Sequence, residues 1–186
     1  MKTLIQGASR RAVLQTLGLG AAALAGLRPA LAGAEDAPAA SPVADTAASP
    51  WPVPAWEHAP ASPTDGRAVV VSLSMQALWA YEGGQVVRST YVSTGTAATP
   101  TPVGLFWVNN KFPMETMEGV IGGEPYRVVD VPNVMYFNDL GDALHGAYWH
   151  SNFGMPMSHG CVNLPLDVAA WMYEWAPMGM AVQVLA

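Results

Sequence analysis

The chain contains one cysteine, Cys161. That count excludes an intramolecular disulfide and a multi-thiolate metal cage. Cations are also scarce: Lys and Arg number 8, and Lys2, Arg10, Arg11 and Arg28 all fall in the first 32 positions. Arg67, Arg88, Lys111 and Arg127 are left to face 14 acids. A body so anionic lacks the Lys and Arg needed to replace counterions, so no nucleic-acid partner is expected and no anionic membrane surface. The apolar run that ends near Leu27 is short for a bilayer span, and no internal repeat is visible.

What the chain does have is apolar bulk. It is 186 residues long and 51% hydrophobic, with 7 Trp and 10 Met, enough for one packed domain even if the N-terminal third adds nothing. Residues 1–32 read as an export signal: Ser9-Arg10-Arg11, an apolar stretch, then Ala30-Leu31-Ala32 before Gly33. The arginine pair resembles a twin-arginine signal, which implies a periplasmic or envelope location with no stable membrane insertion after signal removal. Residues 33–65 are rich in Ala, Pro and Ser and read as a tether, with Trp51 and Trp56 expected to pack onto the domain as it arrives.

The body, residues 66–186, reads as mainly β. Ala68–Leu73 and Ala77–Glu82 look like strands, and Gly83-Gly84 forms a two-residue turn into a third strand over Gln85–Val92. Ser93 to Gly104 reads as a loop before a strand at Leu105–Asn109. Lys111 to Pro125 shows no periodicity and reads as irregular chain. Within it, Met114 to Gly123 combines apolar side chains with glycine hinges, as a lid would. Short strands are expected at Arg127–Val131 and Val134–Phe137. After Pro165, the spacing of Val168, Trp171, Met172 and Trp175 predicts a helix with one buried stripe, and Met180–Leu185 a terminal strand.

An unpaired thiol in an exported protein is a chemical liability unless it is used. Cysteine is a useful nucleophile only as thiolate, and an adjacent imidazole can take its proton and later protonate a leaving amine. His145 is the candidate base, with a hydrogen-bonded structural histidine as the alternative. His159 is expected in a supporting role beside the sulfur, and His150, in Tyr148-Trp149-His150, at the mouth of the site. Three histidines and a thiolate also suit zinc, but the paired short intervals of structural zinc motifs are missing, so no metal and no cofactor are expected. No pair of acids stands in a glycosidase-like motif.

His145-Gly146 followed by Ser158-His159-Gly160-Cys161-Val162-Asn163 resembles the signature of the L,D-transpeptidase catalytic domain, the YkuD family. Val92-Ser93-Thr94-Gly95 and Thr101-Pro102-Val103-Gly104 add weaker similarity. The resemblance implies a β-sandwich-like fold with one or two short helices packed beside the cysteine loop. It also implies a reaction on peptidoglycan stem peptides, in which the cysteine attacks the third stem residue, expels the terminal D-alanine and passes the acyl group to an amine. Carbapenems are the expected inhibitors.

Carried over, Cys161 is nucleophile, His145 base and acid, and the Gly146 carbonyl orients the imidazole. The N–H groups of Gly160 and Cys161 would form an oxyanion hole, and Ser158 and His159 would shape the turn. Tyr148, Trp149, His150, Met114 and Met117 are the expected substrate contacts. Two departures from the family pattern stand out: a slightly short gap between His145 and Ser158, and Asn163 where many relatives carry arginine. The alternatives are an L,D-carboxypeptidase on the same site and a non-catalytic wall-binding or zinc-binding module.

Overall fold

The computed structural model describes Pro54, residues 56–121 and residues 124–186. The export signal expected over residues 1–32, Trp51 and most of the tether lie outside the described residues. Among the described residues no helix is long and apolar enough to cross a membrane.

After a 3₁₀ turn at Trp56–His58 come β1 (Ala68–Ser72), β2 (Ala77–Glu82), β3 (Gln85–Tyr91) and β4 (Gly104–Trp107). They are followed by β5 (Asn110–Ile121), β6 (Glu124–Tyr136), β7 (Ala143–Gly146), β8 (Val162–Leu164), α1 (Leu166–Trp175) and β9 (Ala181–Leu185). A five-stranded sheet runs β3-β2-β1-β9-β4 and a four-stranded sheet β5-β6-β7-β8. The expected mainly β architecture is the observed one. The Gly83-Gly84 turn between β2 and β3 has φ of 59° and 76°, the left-handed conformation that glycine adopts without steric cost.

The terminal strand joins the sheet in its interior. β9 lies between β1 and β4, parallel to β1 and antiparallel to β4. Every residue of β1 is buried, because both faces of the first sheet are covered. Val69, Val71, Leu78 and Ala80 face the main core with Met135, Leu144, Val162 and Leu164 of the second sheet and Val168 and Met172 of α1. On the outer face, Val70, Ala77, Trp79 and Tyr81 pack with Ala59. There Ser89 donates to the Pro54 carbonyl at 3.1 Å, and the Tyr81 hydroxyl donates to the Pro60 carbonyl. The end of the tether is therefore part of the domain, which explains why β1 reads as a continuous apolar run rather than an alternating one.

Three expectations need correction. Lys111 to Pro125 is not irregular: β5 and β6 form a long antiparallel hairpin paired from Asn110↔Tyr136 to Ile121↔Glu124. β6 is also one strand where two were expected. Its period is hidden by a register shift between Glu115 and Met117 and by Asp130 and Asn133 at φ of 51° and 57°, a bulge-like interruption that carries the strand on while breaking alternation. The helix stripe is narrower than expected. Val168, Ala169 and Met172 are buried, whereas Trp171 and Trp175 are half-buried and stack on each other at 4.9 Å. Arg88 lies over Trp171 and Arg67 over Trp175, contacts worth about 0.5–1 kcal/mol each at such a surface.

α1 packs against β6 and β7. Its position is set by Gly146: a Cβ there would stand 3.0 Å from Pro132, 3.1 Å from Leu166 and 3.3 Å from Ala169. Lys111 on β5 fastens the far end of the helix, donating to the carbonyls of Tyr173 and Ala176 and setting a cation at the negative helix terminus. Gly146→Ala is expected to overpack this joint and lower stability by about 1–3 kcal/mol, read as the urea midpoint. An unchanged midpoint would show that the contact between helix and strand is loose.

Candidate active site

β7 and β8 pair in parallel with Leu144 opposite Val162, His145 opposite Asn163 and Gly146 opposite Leu164. Extending that register by one residue sets Ala143 opposite Cys161. Side chains alternate with period two, so Ala143, His145, Cys161 and Asn163 share one face of the sheet. The sulfur and the imidazole are thus diagonal neighbours. Among the described residues no hydrogen bond joins them.

The cysteine loop is held by short polar links. Ser158 Oγ donates to the Cys161 carbonyl and accepts from the Gly160 N–H, closing the turn. Thr101 Oγ1 donates to the Gly160 carbonyl at 2.6 Å and accepts from the Gly95 N–H at 2.9 Å. Gly95 has no room for a side chain, since a Cβ would lie 2.2 Å from the Thr99 carbonyl oxygen. Buried Gln76 anchors this support by donating to Thr94 Oγ1 and accepting from the Thr94 N–H. Apart from Ser158 and Gln76, these supports lie in Ser93 to Gly104, the stretch read from sequence as a loop. Thr94, Gly95 and Thr101 fall within the weaker flanking motifs, as does Gln76, which opens the similar Gln76-Ala77-Leu78 stretch.

The implied oxyanion pair is altered. Because the Gly160 N–H is engaged by Ser158 Oγ, only the Cys161 N–H of that pair is left for a substrate. The φ of Gly160, 128°, favours glycine, and the space beside it is taken: a Cβ would stand 2.2 Å from Asp142 Oδ1.

His145 is 3% exposed. Its Nδ1 lies 3.0 Å from the Gly146 carbonyl, which can only accept, so Nδ1 carries the proton and Nε2 is left as the basic nitrogen. Burial drives its pKa down to about 4, against the Gly146 hydrogen bond, which raises it; the His150 charge lowers it further. Burial pushes the Cys161 thiol up to about 12. Hydrogen bonds from the backbone of Ala143 and Cys161 oppose that rise, and Asp142 adds to it. Both shifts favour the neutral thiol and imidazole over a thiolate–imidazolium pair.

A cavity of about 410 Å³ opens onto both. The hairpin supplies Met117, Gly119, Val120, Tyr126, Arg127, Val128 and Val131, and Leu140, Gly141, Asp142, Trp149, Met157, Ser158, His159 and Asn163 complete it. Among the expected substrate contacts, Trp149 and Met117 line it. Met114 is exposed and does not, and Tyr148 and His150 line a neighbouring cavity with Phe153 and Leu166. His159 stacks on Tyr126 at 5.9 Å, and Trp149 approaches His145 at 5.7 Å. Asn163 is 2% exposed; its Nδ2 is 2.8 Å from His150 Nε2, while its Oδ1 is buried with no partner among the described residues. Sequence reasoning missed Tyr126 and Asp142, which carry no motif and become part of the site only through strand pairing. Among the described residues no group of three His, Cys, Asp or Glu is placed to hold a metal ion.

The family model of the L,D-transpeptidase catalytic domain matches residues 66–184. L,D-transpeptidase 1 of Mycobacterium tuberculosis is 28% identical over 128 residues, 65% of this chain and 51% of the relative. L,D-transpeptidase 2 of that species is 31% identical over 114 residues, 55% of this chain and 27% of the relative. The chain thus spans about half or less of the curated relatives it matches. Among solved structures, an L,D-transpeptidase in complex with imipenem superposes with a TM-score of 0.61 at 26% identity, covering 64% of this chain and 59% of that one. The catalytic domain of the E. faecium L,D-transpeptidase superposes with a TM-score of 0.61 at 30% identity, covering 67% of this chain and all of that one.

A neutral thiol has a measurable signature. Alkylation of Cys161 by iodoacetamide in the resting protein is expected to keep rising with pH beyond about 9, where an ordinary thiol levels off. A plateau reached by pH 7 would mean a preformed thiolate.

Proposed function

Because the chain belongs to the YkuD family of L,D-transpeptidase catalytic domains, we propose that it is a cysteine-dependent L,D-transpeptidase acting on peptidoglycan stem peptides. The observation that carries this reading is that the one thiol of the chain and a buried imidazole, its Nε2 unprotonated, open into the same cavity.

Burial that favours the neutral thiol and imidazole bears on how the reaction runs. A separated charge pair is costly in this apolar surround, so the thiol proton moves to His145 Nε2 as the sulfur attacks the donor carbonyl, not before. Diagonal neighbours on one sheet face can close by side-chain rotation without backbone change. The resulting oxyanion meets the Cys161 N–H. The Tyr126 hydroxyl, kept protonated chiefly by burial, with the Asp142 carboxylate adding to it, is a second donor lining the cavity. His145 then gives its proton to the departing amine of D-alanine, leaving a thioester at Cys161. An acceptor amine attacks that thioester, the new amide forms and the sulfur leaves as thiol.

The hairpin wall of Met117, Val128 and Val131 excludes water from the thioester, which favours an amine over hydrolysis. The same nucleophile is expected to be acylated by carbapenems, and the export signal read in residues 1–32 fits a substrate outside the cytoplasm, in the periplasm or cell envelope.

The test is to incubate the protein with a disaccharide tetrapeptide and resolve the products by mass spectrometry. The expected result is a cross-linked dimer that has lost one terminal D-alanine, with Cys161→Ala forming neither product nor carbapenem adduct. Tripeptide alone would mean an L,D-carboxypeptidase. Cross-links formed by Cys161→Ala, or no acylation of the wild type, would overturn the reading.

A further inference from the structure

The cavity beside Cys161 holds a carboxylate that the steps above do not use. Asp142 immediately precedes β7, is 9% exposed and lines the same cavity as Cys161 and His145. One of its oxygens is occupied in holding the local turn. Oδ2 accepts from Asn138 Nδ2 at 2.8 Å, and the Asp142 N–H closes the same turn by donating to Asn138 Oδ1. The other oxygen is not so engaged. Oδ1 has no hydrogen-bond partner among the described residues and fills the space beside Gly160, next to the nucleophile.

Its neighbours point the same way. Asn163 Oδ1, from a side chain 2% exposed, is buried with no partner and lines the same cavity. His145 Nε2 is a third acceptor, since Nδ1 donates to Gly146. Beside the two donors assigned to the oxyanion, the cavity near the sulfur thus holds three unengaged acceptors, one of them a carboxylate. Arg127, the cation of this wall, is paired with Glu118 at 3.0 Å. Such a constellation suits a small cation with several N–H donors, an ammonium group.

We propose that Asp142 binds the ammonium group of the acyl acceptor and steers it to the Cys161 thioester, so that this residue selects amine over water. The proposal rests on the transpeptidase reading. The acceptor enters as R–NH₃⁺ and releases one proton by way of Asp142 to solvent. Its nitrogen lone pair forms the C–N bond, the C–S bond breaks, and the second proton passes through His145 to the departing sulfur. The products are the amide, the free thiol and one proton. Gly160 follows from the same arrangement, because any side chain at that position would displace the carboxylate.

The test compares two acceptors on the acyl-enzyme formed from a tetrapeptide donor at pH 7: methylamine, an ammonium ion there, and hydroxylamine, uncharged. In Asp142→Asn, aminolysis by methylamine relative to hydrolysis is expected to fall about tenfold, the loss of one charge-assisted contact. With hydroxylamine the ratio should change less than about twofold. Equal falls for both acceptors, as a collapsed turn would give, or no fall for either, would overturn the proposal. A wild-type measurement covers the case in which that variant does not fold. Trimethylammonium, which cannot form a stable amide, should compete with methylamine and leave hydroxylamine untouched; failure to compete overturns the proposal equally. Wild type that never acylates would instead refute the transpeptidase reading itself.

Discussion

The parallel pairing of β7 with β8 is the constraint on which the site depends. With His145 opposite Asn163, the thiol and the imidazole, sixteen residues apart in sequence, lie on one sheet face. A slip of one residue would turn Cys161 toward the main core and dissolve the site. Much of the surrounding structure holds that register. Gly146 lets α1 press on β7, and Lys111 ties the helix end to β5. Ser93 pairs with Asn163, Gly95 bridges to Ser158, and Thr101 grips the Gly160 carbonyl.

The same packing sets the electrostatics. Walls of Met117, Val131, Val134 and Ala143 around Cys161 make the thiolate unfavourable, and burial makes the imidazolium unfavourable as well. A nucleophile that is neutral at rest is protected from chance oxidation, and it becomes reactive when a substrate supplies the carbonyl that accepts its electron pair. The acceptors that converge on the cavity, Asp142 and Asn163, give the second half of such a reaction a direction. On the proposal above, they favour an incoming ammonium over a water molecule.

The fold was legible in part. Strands such as β2 and β3 announced themselves by apolar runs around Gly83-Gly84, and the His145-Gly146 and Ser158–Asn163 motifs named the two groups that share the cavity. The β5–β6 hairpin was hidden because Pro113, Gly119, Pro125 and Pro132, together with left-handed Asp130 and Asn133, erase the alternation that marks a strand. The stripe on α1 was overdrawn because Trp171 and Trp175 satisfy helical spacing yet stack outward under two arginines. Asp142 could not be read as a site residue at all. Its place beside Gly160 is a product of strand pairing between segments distant in sequence. The engagement of the Gly160 N–H by Ser158 Oγ is likewise a fact of geometry that no motif contains.

Whether thiol and imidazole are both neutral at rest is decided by NMR titration of ¹⁵N-labelled histidine, following His145 in the resting protein. A neutral pair requires a ring protonated only at Nδ1 from pH 8 down to pH 5, with the second proton added near a pKa of about 4. An imidazolium at pH 7 that disappears in Cys161→Ala would contradict it, because that behaviour belongs to a preformed thiolate–imidazolium pair.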